Sequence, residues 1–187
     1  MALANFQPFT GSRKAGSLSW PMKRFSSGIK FAPFFALLND TDLSVAQGYM
    51  VALTQEASYK IGLFKGSPLS GFSSSASHCL AKSSAAFDDV GDVAAAWKHL
   101  KLDVLVNPHG EAVLNVWEND LASNDVDSPS WAAIPGLSQF IDDSLGHFSG
   151  GVPVLDGFYG IKGMYTNGQS GDMVLFGRAT VHRQTSP

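Results

Sequence analysis

With 187 residues, 44% of them hydrophobic and 16% charged, the chain has the length and apolar content for a single domain with its own core. The one cysteine, Cys79, excludes an internal disulfide framework, and no signal-peptide pattern or apolar run of the ~20 residues that span a bilayer is present, which predicts cytoplasmic synthesis without membrane insertion. Gly 19, Pro 9 and Phe 13 against sparse charge favour many short strands joined by turns over a helical bundle, while the net charge of −3 hides five cations, Arg13, Lys14, Lys23, Arg24 and Lys30, that all precede the first acid, Asp40.

Residues 1–28 show no clean periodicity but place Phe6, Phe9, Leu18, Trp20 and Phe25 among those cations. The expectation is a basic, extended N-terminal arm that docks on a neighbouring protein through Phe6, Phe9, Arg13, Lys14, Trp20, Lys23 and Arg24, followed by a folded unit over 29–187. No nucleic-acid motif accompanies the cations, so nucleic acid is not the expected partner. The apolar run 29–38, with Phe31, Phe34 and Phe35, reads as a strand buried on both sides, and Pro33 marks an edge or bulge.

Segments 48–54 and 59–65 read as two strands of a hairpin joined through Gln55, Glu56, Ala57 and Ser58. The stretch 67–86 is a Ser-, Gly- and Ala-rich loop with a weak strand at 78–82, and 88–96 contains a helical turn.

The strongest pattern follows. Leu100, Leu102, Val104 and Val106 alternate with His99, Lys101, Asp103 and Leu105, the period of a strand that buries one face. Pro108, His109 and Gly110 form a turn with proline at a fixed negative φ and glycine at a positive one, so Asn107 faces Glu111. Counting outward pairs Val104 with Leu114 and Leu102 with Val116 on the core side. Asp103 then meets Asn115, and Lys101 meets Trp117, on the other.

Beyond this hairpin, 120–130 is a polar loop. Segment 137–145 reads as a short helix with Leu137, Phe140 and Ile141 on one side and Asp142 and Asp143 solvated. Segment 152–166 carries Gly157, Gly160 and Gly163, as a bulged strand would, and 173–183 closes the chain as one strand.

No nucleophile elbow, zinc-protease helix, phosphate loop or paired-cysteine motif occurs, and Asp103 and Glu118 fall on opposite faces of the hairpin, so no enzyme is expected. His78, His99, His109, His147 and His182 have no ligand spacing, and no metal site is assigned. Glu118, Asn119, Asp120, Asn124, Asp125 and Asp127 offer the oxygen ligands calcium uses without the spacing of an EF-hand; no cofactor is expected, with calcium the one alternative. Trp97, Trp117, Trp131, Tyr159 and Tyr165 are candidate stacking platforms. The face bearing Lys101, Asp103, Asn115 and Trp117 is the candidate surface for a ligand or partner.

The run from Trp97 to Val104, Gly110, and the run from Ala112 to Trp117 together resemble the central hairpin of concanavalin A-like lectin and glucanase sandwiches of the laminin-G type. Gly157 to Met164 and Val174 to Gln184 are similar to the glycine-rich penultimate strand and the closing strand of that family. The resemblance covers roughly residues 29–184 and implies an all-β, two-sheet antiparallel jelly roll. The glucanase branch carries a set of acids on one strand that this chain lacks.

The wording of the hairpin, with Pro129-Ser130-Trp131, Phe140-Ile141-Asp142-Asp143 and the Arg183-Gln184 ending, also resembles small structural proteins of tailed phages and phage-tail-like particles. That resemblance implies a non-enzymatic decoration or adhesion component on a virion or particle surface, made in the bacterial cytoplasm and assembled in multiple copies with other particle proteins. A carbohydrate-binding, lectin-like module that takes a surface glycan is the alternative.

Overall fold

A computed structural model describes residues 16–24, 34–40, 42, 44–53, 60–67, 78–85, 98–119, 128–143, 153–155, 158–161, 174–176 and 180–183. Among them every regular element is a strand, and all pairings are antiparallel. The first sheet has seven strands. Its centre is β1 (Gly16–Arg24), β6 (Lys98–Val106) and β7 (Ala112–Asn119). Along the free side of β1 lie β11 (Val174–Phe176) and β12 (Thr180–Arg183), and along the free side of β7 lie β8 (Trp131–Ala133) and β9 (Phe140–Asp142). The second sheet runs in the order β10 (Phe158–Ile161), β2 (Phe34–Leu38), β3 (Gly48–Leu53), β4 (Ile61–Gly66) and β5 (Cys79–Lys82).

Alternation fixes which side chains meet between the sheets. Leu18 and Trp20 of β1, Leu100, Leu102 and Val104 of β6, and Ala112, Leu114 and Val116 of β7 pack on Tyr49 and Val51 of β3 and Ile61 and Leu63 of β4. The result is an all-β sandwich. The second sheet is buried on its other face as well, where Leu38, Met50, Ala52 and Phe64 cluster with Ala46, so β4 is buried along its whole length.

The β6–β7 hairpin has the register its alternation predicts: Val104 opposite Leu114, Leu102 opposite Val116, Asp103 opposite Asn115 and Lys101 opposite Trp117. Asn107 organises the turn. Its Oδ1 accepts the backbone N–H groups of His109 and Glu111, each at 3.0 Å, and its Nδ2 donates to Glu111 Oε2 at 2.7 Å. Gly110 sits at φ 80° with open space around a would-be Cβ, so glycine is needed there for the backbone conformation alone.

A second turn ties the two sheets together. Leu137 N–H donates to Ile134 O at 3.0 Å around Pro135 and Gly136, the latter at φ 90°. Pro135 O accepts from Ser84 N–H at 2.8 Å, and a Cβ on Gly136 would stand 2.5 Å from Lys82 O. Glycine is required here for close approach as well as for φ.

Three sequence expectations need correction. The folded unit does not begin at 29, because Gly16–Arg24 is a strand paired with β6 along seven residues, from Gly16 opposite Val104 to Met22 opposite Lys98. Leu18 and Trp20 supply core side chains to it; Pro21 and the flanking cations obscured the alternation. Pro21, with no N–H, falls where β12 has ended at Ser19 and β11 begins at Met22. The helix expected at 137–145 is replaced by the left-handed residue Gln139 and by β9, whose Asp142 is fully buried rather than solvated. The closing segment is two short strands, not one, and both pair with β1.

Candidate functional site

The outer face of the first sheet carries three polar rows, read directly from the register. One runs His99, Asn119, Trp131; the next Ser19, Lys101, Trp117, Ala133; the third Ser17, Asp103, Asn115. The four residues singled out in the hairpin, Lys101, Asp103, Asn115 and Trp117, therefore lie together. Trp131 and His99 join them.

The cluster is held by specific contacts. Trp117 Nε1–H donates to Asp103 Oδ2 at 2.6 Å, a diagonal bond across the hairpin. Lys101 Nζ lies 3.5 Å from the same oxygen, with the side chains 16% and 12% exposed. The ammonium also sits 4.9 Å from the Trp117 ring centroid and 5.1 Å from that of Trp131, an arrangement in which each indole face attracts the cation through its quadrupole. Trp131 meets His99 edge-on with centroids 4.7 Å apart. Asp103 Oδ1 is buried and has no donor. A cation shared by two indoles and one carboxylate has little rotamer freedom left to lose when something binds over it.

Asn115 plays a different part. Its Oδ1 accepts the backbone N–H of Gln139 at 2.7 Å, and Gln139 has φ 54°, so the carboxamide secures the kink between β8 and β9. Asn119 Oδ1 likewise accepts Ser130 N–H at 3.1 Å. These two asparagines, on the same face, fix the backbone that follows β7. Sequence reasoning left Trp131 out of the set because its proximity depends on β8 pairing with β7, across residues 120–127, and nothing local encodes that pairing; His99 was legible from its alternation with Lys101 and Asp103, and only its contact with Trp131 was hidden.

Of the arm residues, Trp20 is 1% exposed and belongs to the core, which removes it as a partner anchor. Lys23 and Arg24 lie on β1, in register with Leu175 and Val174 of β11. Phe6, Phe9, Arg13 and Lys14 lie outside the described residues, as do Asp120, Asn124, Asp125 and Asp127 of the acidic loop. Among the described residues no group of three or more His, Cys, Asp or Glu could hold a metal ion, and no helix is long and apolar enough to cross a membrane.

No family model, curated protein or solved structure matches the chain.

A second polar cluster lies inside the sandwich, with no solvent access. Lys65 of β4 and Asp142 of β9 are fully buried, with Nζ 2.7 Å from Asp142 Oδ2. Tyr49 of β3, directly opposite Lys65 in the sheet, donates its hydroxyl to the same oxygen at 2.5 Å and accepts Val154 N–H at 3.2 Å. Burial, then the hydrogen bond and charge of Asp142, push the Tyr49 phenol well above its ordinary pKa. The sequence carried a sign of this cluster: Ile61, Leu63 and Lys65 share one face of β4, so the strand period places a lysine on the core side.

Proposed function

We propose that this chain is a non-enzymatic structural, decoration or adhesion component of a phage virion or phage-tail-like particle. Its sandwich, read more finely as a concanavalin A-like jelly roll, contacts neighbouring subunits or a host surface. The observation that carries the reading is the Lys101–Asp103–Trp117–Trp131 cluster: aromatic and cationic, half-buried, and fixed on the rigid strands β6, β7 and β8. Tryptophan is among the residues that dominate protein–protein hot spots, and these two are already ordered, which lowers the entropic cost of binding. Residues 1–15, with Phe6, Phe9, Arg13 and Lys14, are the remaining candidates for the anchoring arm.

The test is incorporation into particles. Trp117→Ala and Lys101→Ala proteins that fold cooperatively should copurify with assembled particles at reduced stoichiometry, and deletion of residues 1–15, which spares β1, should abolish attachment. Normal incorporation of all three would refute the proposal.

A carbohydrate-binding role is the second reading, favoured by two partly exposed indoles beside a carboxylate on one sheet face. Lys101 occupies one face of the ring pair, so a sugar would stack on the opposite faces. Glycan-array binding lost in Trp117→Ala would support it, and flat arrays with and without calcium would remove it.

A further inference from the structure

We propose that Lys65 and Asp142 condense to an intramolecular amide that covalently joins the two sheets. The two side chains come from opposite layers, β4 and β9, are fully buried, and place Nζ 2.7 Å from a carboxyl oxygen, one bond from the Cγ it would attack. Neither side chain is exposed to solvent. The other carboxyl oxygen, Asp142 Oδ1, is buried and has no hydrogen-bond donor, an arrangement costly for a carboxylate and much less so for an amide carbonyl.

The step balances without any other reactant. A proton passes from the ammonium to Oδ2, leaving an amine and a carboxylic acid, and the nitrogen lone pair then adds to Cγ. Oδ2 departs as water, carrying that proton and a second one from the nitrogen, while Oδ1 becomes the amide carbonyl. Ammonium plus carboxylate thus give amide plus water, and two buried charges disappear. The Tyr49 hydroxyl, already bonded to Oδ2, is placed to relay the second proton to the departing oxygen. Exclusion of water from the core disfavours the reverse hydrolysis.

The experiment is intact-mass spectrometry on the purified, denatured full-length protein, corrected for N-terminal processing, followed by protease digestion and fragmentation. The expected result is a mass lower than the sequence by one water and a branched peptide that joins the segments containing Lys65 and Asp142. Lys65→Arg and Asp142→Ala should each restore the full mass, and Tyr49→Phe should lower the linked fraction. Because the wild-type digest decides the matter by itself, a variant that fails to fold leaves the test intact. A wild-type mass equal to the sequence overturns the proposal, as does a water loss that maps to a cyclic imide at Asp156-Gly157.

Discussion

Trp117 reaches diagonally across the β6–β7 hairpin to donate its indole N–H to Asp103 at 2.6 Å, although its direct partner in the ladder is Lys101. One carboxylate oxygen therefore organises both members of the neighbouring cross-strand pair, a tryptophan and a lysine.

Replacement of Trp117 by Phe keeps most of the ring and removes only the donor. With Asp103 Oδ1 already lacking a partner, loss of the bond to Oδ2 should lower stability by about 1–3 kcal/mol, the cost of an under-satisfied buried acceptor. Denaturant unfolding of Trp117→Phe checks this, and Asp103→Asn combined with it should recover part of the loss.

The two left-handed glycines should respond differently to alanine. Gly110→Ala meets nothing within 4 Å and should cost roughly 1–2 kcal/mol, the penalty of the left-handed conformation alone. Gly136→Ala adds a Cβ 2.5 Å from a backbone carbonyl that cannot turn away, and its melting temperature should fall clearly further. Equal losses at the two sites would contradict the docking of the Pro135–Gly136 turn on Lys82 and Ser84.

Gln139 is the one non-glycine residue at positive φ among those described, and Asn115 accepts its N–H. Gln139→Gly should therefore stabilise the protein modestly, by up to about 1 kcal/mol, whereas Asn115→Ala should destabilise it by about 1–3 kcal/mol. The second substitution should be milder in the Gln139→Gly background, as a double-mutant cycle in the same denaturant series would show.

Tyr49 predicts the alkaline limit of the fold. Its phenol is held neutral in the sandwich, whereas in the unfolded chain it ionises near the ordinary value of 10.0. Its contribution is fully present below that pH and is lost progressively as pH rises from there toward the raised value of the folded state. Unfolding free energy should fall above pH 10, and Tyr49→Phe should flatten that limb while costing stability at neutral pH.

Local periodicity carried the hairpin completely, because each residue from Leu100 to Val116 sees its partner across a short turn of defined chemistry. It carried less of β1, whose Leu18 and Trp20 alternate as a strand should but are followed by Pro21 and a basic pair that resemble a solvated leader. The β8–β9 region was illegible for another reason. Its strands have three residues each, too few to show a period, and they are set by Asn115 and by the edge of β7 rather than by their own sequence. Lys65 announced itself as a cation on a core face, but its partner Asp142 lies far along the chain, and only tertiary packing brings the two together.

The outermost strands of both sheets share one property. β8, β9 and β11 have three residues each, and β5, β10 and β12 have four, while the interior strands run from five to nine. Among the described residues no outer strand offers a long row of unsatisfied amides on which another copy could add by backbone pairing. Two copies brought close together would then meet through their side chains rather than fuse into a continuous ribbon.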